Sequence, residues 1–419
     1  KRLPTSDNLF PCNNYSEYFS SIIGYTGPIS ESEYTALHKK NKDYTQNDTV
    51  GKAGMEQHYE TYLRGKNGEQ KFYIDNVGRI SEIISSTDSV AGDDLYLSID
   101  ADLQKATYLA LQNEIAAIVY SNIKSGEIPI NDVYTALIGN SVINTEHFSK
   151  AKASDTEKNV LSVFKSRQKT TLGKIKQELT SSPEALNTMS DEVLDEFTYI
   201  ISMLKDDQVL LKNEIDTSDS VYQKWKNQKI SPKEYLSYCI TQHWIDISQL
   251  NVDEKYADST EVYDALCKYI LKNIKTDTEF SKIIYQYMIT RGEISPRQLC
   301  LILFDQGVLD YDDATVNKLK NGSLSPRDFL MKKIYNIEIT PAQLALEPCT
   351  GSCVVTDEKT GEILAMVSYP GYDSNKLANG VDSEYFASLQ HDKSSPLLNY
   401  ATQQKTAPGS TFKLVSATA

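Results

Sequence analysis

The run Pro408-Gly409-Ser410-Thr411-Phe412-Lys413 sets a tight turn directly against a helical stretch that continues through Leu414, Val415, Ala417 and Thr418. Ser410 then falls in the first helical turn, with Lys413 three residues on along the same face. A serine hydroxyl is a poor nucleophile at neutral pH unless a base stands beside it. A lysine amine kept neutral in a desolvated pocket can be that base. The start of a helix adds partial positive charge and free N–H groups for a developing oxyanion. Ser-x-x-Lys alone is short enough to arise by chance, and a capping serine with a surface lysine fits it equally well. Its meaning depends on what surrounds it.

Upstream, 352–356 and 362–368 read as short strands joined by Asp357-Glu358-Lys359-Thr360-Gly361, a hairpin with glycine at the turn. A Pro/Gly/Asp loop follows at 370–375. Farther back, 95–99 alternates like a strand and Asp100 is placed to cap a helix. Leu103, Thr107, Ala110, Leu111, Ile115 and Ile118 follow at helical spacing. Residues 1–94 are rich in Gly, Asn, Ser and Tyr, with β-like runs such as 69–77 between turn signals.

Residues 121–338 have a different texture. They hold 6 of the 19 glycines and read as successive helices, for example Val262, Leu266, Tyr269, Ile270 and Ile274. Ser231-Pro232, Ser295-Pro296 and Ser325-Pro326 each put a capping hydroxyl before a proline, with Glu234, Gln298 and Asp328 three residues after the serine. Their unequal spacing indicates a recurring helix start rather than a repeat. The region's 27 Lys/Arg and 32 Asp/Glu nearly balance, so it is not a charged tail.

The chain of 419 residues has room for two or three domains. Its net charge of −14 gives a general polyanion-binding role, including nucleic acid, no electrostatic footing. No apolar run reaches the roughly 20 residues a bilayer span needs. Six cysteines are too few for a disulfide scaffold. Cys349 and Cys353 lie close, but the five histidines supply no second ligand pair, so buried free thiols are expected rather than a metal knuckle. Lys1 is preceded by no initiator Met or signal segment, and the helical run at 411–419 has no stop signal. The sequence reads as an internal piece of a longer protein.

The block Asn399-Tyr-Ala-Thr-Gln-Gln-Lys-Thr-Ala-Pro-Gly-Ser-Thr-Phe-Lys413 resembles the active-serine segment of penicillin-binding proteins. The stretch 351–373 looks like the opening hairpin of the same transpeptidase domain. Asp94-Leu-Tyr-Leu-Ser-Ile-Asp-Ala-Asp-Leu-Gln104 is similar to that family's first strand and helix. Residues 51–65 resemble the pedestal, or dimerisation, domain of the class B members. Four such blocks in the family's order are far more specific than Ser-x-x-Lys alone.

The resemblance implies a multidomain α+β fold. It has a largely β pedestal at 1–94, a first transpeptidase strand and helix at 95–120, an α-helical insertion at 121–338, and the transpeptidase domain as far as the serine helix at 339–419. It also implies a serine D,D-transpeptidase that cross-links peptidoglycan stem peptides and is acylated by β-lactams, with neither cofactor nor metal. Ser410 would attack the D-Ala-D-Ala carbonyl, Lys413 would accept its proton, and the Ser410 N–H would supply half of the oxyanion hole. Implied partners are a glycosyltransferase and divisome or elongasome membrane proteins. The implied location is the extracytoplasmic face of the bacterial membrane, held by an N-terminal anchor missing from this chain.

The family's Ser-x-Asn and Lys-Thr-Gly motifs belong downstream of the serine, where this sequence does not carry them. Lys359-Thr360-Gly361 spells the second but sits in a hairpin turn before the serine, and Ser374-Asn375 fails by position too. Two rival readings are a class D β-lactamase or β-lactam sensor, which also uses Ser-Thr-Phe-Lys, and a catalytically idle cell-wall scaffold. Class D proteins lack the pedestal block. His58 reads as solvated or structural. Tyr222, Trp225, Tyr235, Tyr238 and Trp244 could form a glycan platform, but at helical spacing they read first as core.

Overall fold

The computed structural model describes residues 16–74, 80–181, 183–250, 252, 258–378, 382–407 and 409–418. The chain forms two compact units. An outer unit joins Lys1–Ser125 to Lys333–Ala419, and a helical unit runs Gly126–Lys332.

The outer unit opens with α1 (Ser16–Ile23), β1 (Thr26–Pro28), α2 (Glu31–Lys40) and β2 (Thr49–Gly51). Next come the short helices α3 (Gly54–His58) and α4 (Glu60–Leu63), then β3 (Glu69–Ile74) and β4 (Ile80–Thr87). Strands β1 and β2 pair antiparallel, as do β3 and β4. The first part of the chain is therefore mixed rather than largely β. Ser30 and Glu33 form a reciprocal capping box that starts α2, a local signal independent of strand patterning. Ile29, Tyr44 and Val50 form a small core. Beside it the buried Glu60 carboxylate accepts bonds from the Tyr44 hydroxyl (3.2 Å) and the Gly51 N–H (2.8 Å). Arg64 lies 4.0 Å over the Tyr44 ring and pairs with Asp48.

The expected strand at 95–99 does not form. One backbone bond, Asp100 N–H to the Leu364 carbonyl (2.9 Å), joins this segment to the sheet beside it. The Ser98 hydroxyl, not a main-chain group, takes the Ile363 carbonyl (2.7 Å). Asp100 does cap helix α5 (Ala101–Ser125), accepting from Leu103 N–H (2.8 Å). The buried stripe of α5 is Gln104, Tyr108, Ile115, Val119 and Ile123, whereas Ala110 and Ile118 are exposed. Hydropathy misplaced this face because Gln104 and Tyr108 are polar yet buried, with their polar atoms satisfied inside.

The helical unit contains α6 (Ile130–Gly139), α7 (Asp155–Thr180), α8 (Asp191–Asp206), α9 (Ser220–Lys226) and α10 (Pro232–Thr241). It continues with α11 (Ser259–Ile274), α12 (Thr278–Thr290), α13 (Pro296–Asp305) and α14 (Asp313–Asn321). Helix α15 (Pro326–Tyr335) begins here and ends in the outer unit. Ser231, Ser295 and Ser325 all accept the expected capping bond three residues on. The helix ends share a second device. A residue in the left-handed conformation, such as Gln208, Gly292, Gly307 or Gly322, is followed two positions later by Leu210, Ile294, Leu309 or Leu324. The N–H of that apolar residue reaches back to the carbonyl six positions earlier, as Leu210 does to Leu204 (2.7 Å) and Leu324 to Lys318 (3.1 Å). Tyr235 and Trp244 are buried; Trp225 stacks on Tyr235 (4.4 Å) and Tyr238 meets Trp244 edge-on (5.8 Å). These aromatics pack on one another.

The chain returns through α16 (Pro341–Leu344), capped by Thr340 and Gln343, into the antiparallel hairpin β5 (Gly351–Thr356) and β6 (Ile363–Tyr369). The hairpin packs on α5 through Tyr108, Ile115, Ala342, Val367 and Tyr369. Helix α17 (Ser383–His391) and helix α18 (Phe412–Thr418) complete the unit.

Candidate active site

Gly409 has φ +55°, in the left-handed region that favours glycine, and opens a single 3₁₀ turn, Gly409–Thr411, that leads into α18. Ser410 lies in that turn and Lys413 in the first turn of α18. Both are exposed, as are Phe412, Leu414 and Val415. Pro408 lies outside the described residues.

The segment that leads to Ser410 is fixed by hydroxyl and amide groups. The buried Ser368 hydroxyl, on β6, donates to the Leu398 carbonyl (3.2 Å) and accepts from Tyr400 N–H (2.9 Å). Asn399 donates to the Ser21 carbonyl of α1 (3.2 Å) and accepts from Ala401 N–H (3.1 Å). The Tyr400 hydroxyl reaches the Ser394 carbonyl (2.8 Å).

Helix α1 is itself tied into the hairpin. Tyr372 donates to Ser20 from both its N–H (3.2 Å) and its hydroxyl (3.1 Å), and Ser16 donates to Asp373 (2.9 Å). At Gly371 a Cβ would stand 1.8 Å from the Glu17 carbonyl oxygen, so only glycine allows α1 this close. Gln104 completes the joint. Its amide donates to the carbonyls of Tyr18 (2.8 Å) and Met366 (3.0 Å) and accepts from Met366 N–H (2.8 Å). Ser368, Asn399 and Gln104 were not singled out as functional in the sequence. Only their position within or beside the quoted blocks could have pointed to them.

Lys359-Thr360-Gly361 forms the β5–β6 turn. The N–H groups of Lys359 and Thr360 both donate to Asp357 (2.8 Å each), and these bonds hold that carboxyl below its ordinary pKa. Ser374 and Asn375 lie in a 3₁₀ turn capped by Asp373. His58 is exposed, with its ring edge-on to Tyr59 at 4.8 Å. Cys239, Cys267, Cys300 and Cys349 are buried free thiols, Cys353 is half-buried, and Cys12 lies outside the described residues. Among the described residues no cluster of His, Cys, Asp and Glu could hold a metal ion. Among the same residues no helix is long and apolar enough to cross a membrane.

The segment carrying Ser410 falls within a match to the penicillin-binding protein transpeptidase domain over residues 351–419. Residues 13–97 match the penicillin-binding protein dimerisation domain. Among curated proteins, the peptidoglycan D,D-transpeptidase MrdA of Salmonella typhimurium is 30% identical over 124 residues, 29% of this chain and 19% of that protein. The Escherichia coli K12 protein of the same name is 28% identical over 116 residues, 27% of this chain and 18% of the relative. The peptidoglycan D,D-transpeptidase PbpA of Mycolicibacterium smegmatis is 45% identical over 75 residues, 17% of this chain and 15% of the relative. The chain thus spans less than one fifth of the length of these relatives. A match to the penicillin-binding protein dimerisation domain ahead of one to the transpeptidase domain, in one chain, supports a class B penicillin-binding protein.

Proposed function

We propose that this chain is part of a peptidoglycan D,D-transpeptidase that works through a serine acyl-enzyme. The observation that carries the reading is Ser410-x-x-Lys413 at the start of a helix, inside the matched transpeptidase segment. Ser410 Oγ attacks the carbonyl of the penultimate D-Ala in a stem peptide while Lys413 Nζ takes its proton. The C–N bond to the terminal D-Ala breaks, and the proton passes to the leaving amine. An amine of a second stem peptide then attacks the ester, which forms the cross-link and restores the Ser410 hydroxyl. A β-lactam presents its ring amide in place of the D-Ala-D-Ala bond and stays attached as the opened ester.

On the same reading, residues 1–94 are the pedestal, 121–338 an insertion, and 95–120 with 339–419 the interrupted transpeptidase domain. A membrane anchor at the extracytoplasmic face, a glycosyltransferase, and divisome or elongasome proteins would accompany it. The dimerisation-domain match argues against a class D β-lactamase or sensor. The test is labelling of the full-length protein with a fluorescent penicillin, followed by mass spectrometry of the labelled peptide. Label is expected on Ser410 and absent from Ser410→Ala. Label elsewhere overturns the assignment, and no label at all favours the idle scaffold.

A further inference from the structure

We infer that Asn399 is a positioning residue for the nucleophile segment, holding it to α1 through Ser21; this rests on Ser410 being the acylated serine. Asn399 sits eleven residues before Ser410, at a node of bonds. Its backbone N–H donates to Gln403 Oε1 (3.0 Å), and its carbonyl accepts from the N–H groups of Thr402 (3.1 Å) and Gln403 (2.8 Å). With the side-chain bond to Ala401 N–H, these contacts are local and set the shape of the turn. The bond from Nδ2 to the Ser21 carbonyl is different in kind. It joins positions 378 apart and sets where the turn sits.

From Thr402 to Thr418 every described side chain is exposed, so Asn399, together with Tyr400 on Ser368 and Ser394, forms the anchor from which the approach to Ser410 extends. The volume open to a tethered group grows with the free length of its tether. Losing the Asn399–Ser21 bond leaves Tyr400 holding this anchor without the tie to α1, so the base of the tether shifts more freely and Ser410 spends a smaller fraction of time in reach of a bound carbonyl. Ser21 lies in the segment matched by the dimerisation domain and Asn399 in the one matched by the transpeptidase domain. The bond therefore gives displacements of α1 a direct route to the nucleophile segment.

The test measures penicillin acylation of the full-length protein, resolved into the dissociation constant of the initial complex and the acylation rate constant. Asn399→Asp keeps the acceptor for Ala401 N–H but turns an oxygen toward the Ser21 carbonyl, and Asn399→Ala removes both contacts. Both variants should acylate about tenfold more slowly with an unchanged dissociation constant and melting temperature. Wild-type acylation by Asn399→Asp overturns the inference, because the local turn alone would then suffice. A loss that follows the fraction unfolded under assay conditions also overturns it, since Asn399 would then serve stability. Ser410→Ala is run alongside. Label that survives in it defeats the nucleophile assignment, whereas label lost there but unchanged in Asn399→Asp defeats the Asn399 role alone.

Discussion

Gln104 is a fully buried amide whose bonds join three elements, α5, β6 and α1. Gln104→Leu keeps much of the volume but strands the N–H and carbonyl of Met366. Each stranded group costs about 1–3 kcal/mol. The variant should lose about 2 kcal/mol or more of stability, read as faster hydrogen exchange at Met366. Wild-type protection there would show that water or a shifted neighbour replaces the amide. At Lys413 the expectation concerns chemistry. Arginine keeps the charge but cannot supply a neutral amine near pH 7. Acylation of Lys413→Arg should fall by several orders of magnitude while the fold persists. Retention of more than about a tenth of the rate would make Lys413 a counter-ion. Lys413 was proposed from the sequence because its spacing from Ser410 is itself a chemical pattern. Gln104 was not, because a hydropathy reading counts a buried amide as surface.

Helix α8 contains a carboxyl whose protonation matters to the helical unit. Glu196 is buried and its Oε1 has no hydrogen-bond partner. Burial pushes its pKa up from 4.5 to about 8, and the Glu192 charge adds to the rise. Asp195 acts in the same direction, while Lys174 and Arg167 of α7 oppose it. Glu192 one turn away pairs with Arg167 (3.0 Å) and Arg291 (2.5 Å). Below pH 4.5 the folded and unfolded chains both carry the Glu196 proton, so its burial exacts no ionisation penalty. As pH rises the unfolded chain releases that proton first and stability falls, until the folded carboxyl also ionises near 8. Glu196→Gln should remove this slope and stabilise the helical unit by about 3 kcal/mol at pH 7, with little effect at pH 4. The chain's two tryptophans, Trp225 and Trp244, both lie in this unit, so their fluorescence during denaturation reads it directly. An equal effect at both pH values would mean packing, not titration. Helix starts in this unit were visible as Ser-Pro pairs. Several stops were hidden because the left-handed position is held by Gln208, Gln228 or His243 rather than glycine.

Across the whole molecule, the chain leaves the outer unit at Ser125 and returns at Lys333. Tyr120 and Tyr335, just inside those points, meet at 5.2 Å between ring centroids, so exit and return lie together. Replacing 126–332 with a short Gly/Ser joint should therefore leave penicillin acylation of the full-length protein within about threefold of wild type, with any defect in partner binding or localisation. A folded deletion variant that no longer acylates would mean that the helical unit contributes to the active-site wall. The sequence placed the helical stretch at 121–338, because composition cannot show that α5 runs on to Ser125. The discontinuity also orders events during synthesis. Helix α1 emerges early, but its partners Tyr372, Asp373 and Asn399 lie 352, 357 and 378 positions from the residues they bond. The helical unit closes its helix ends over six residues and can finish folding while the hairpin is still unmade. Until then Tyr18 of α1 has no hairpin to pack on, and this half-built unit is the species a chaperone or protease meets. A pause in translation within the helical unit would lengthen that exposure without changing a single residue of the finished protein.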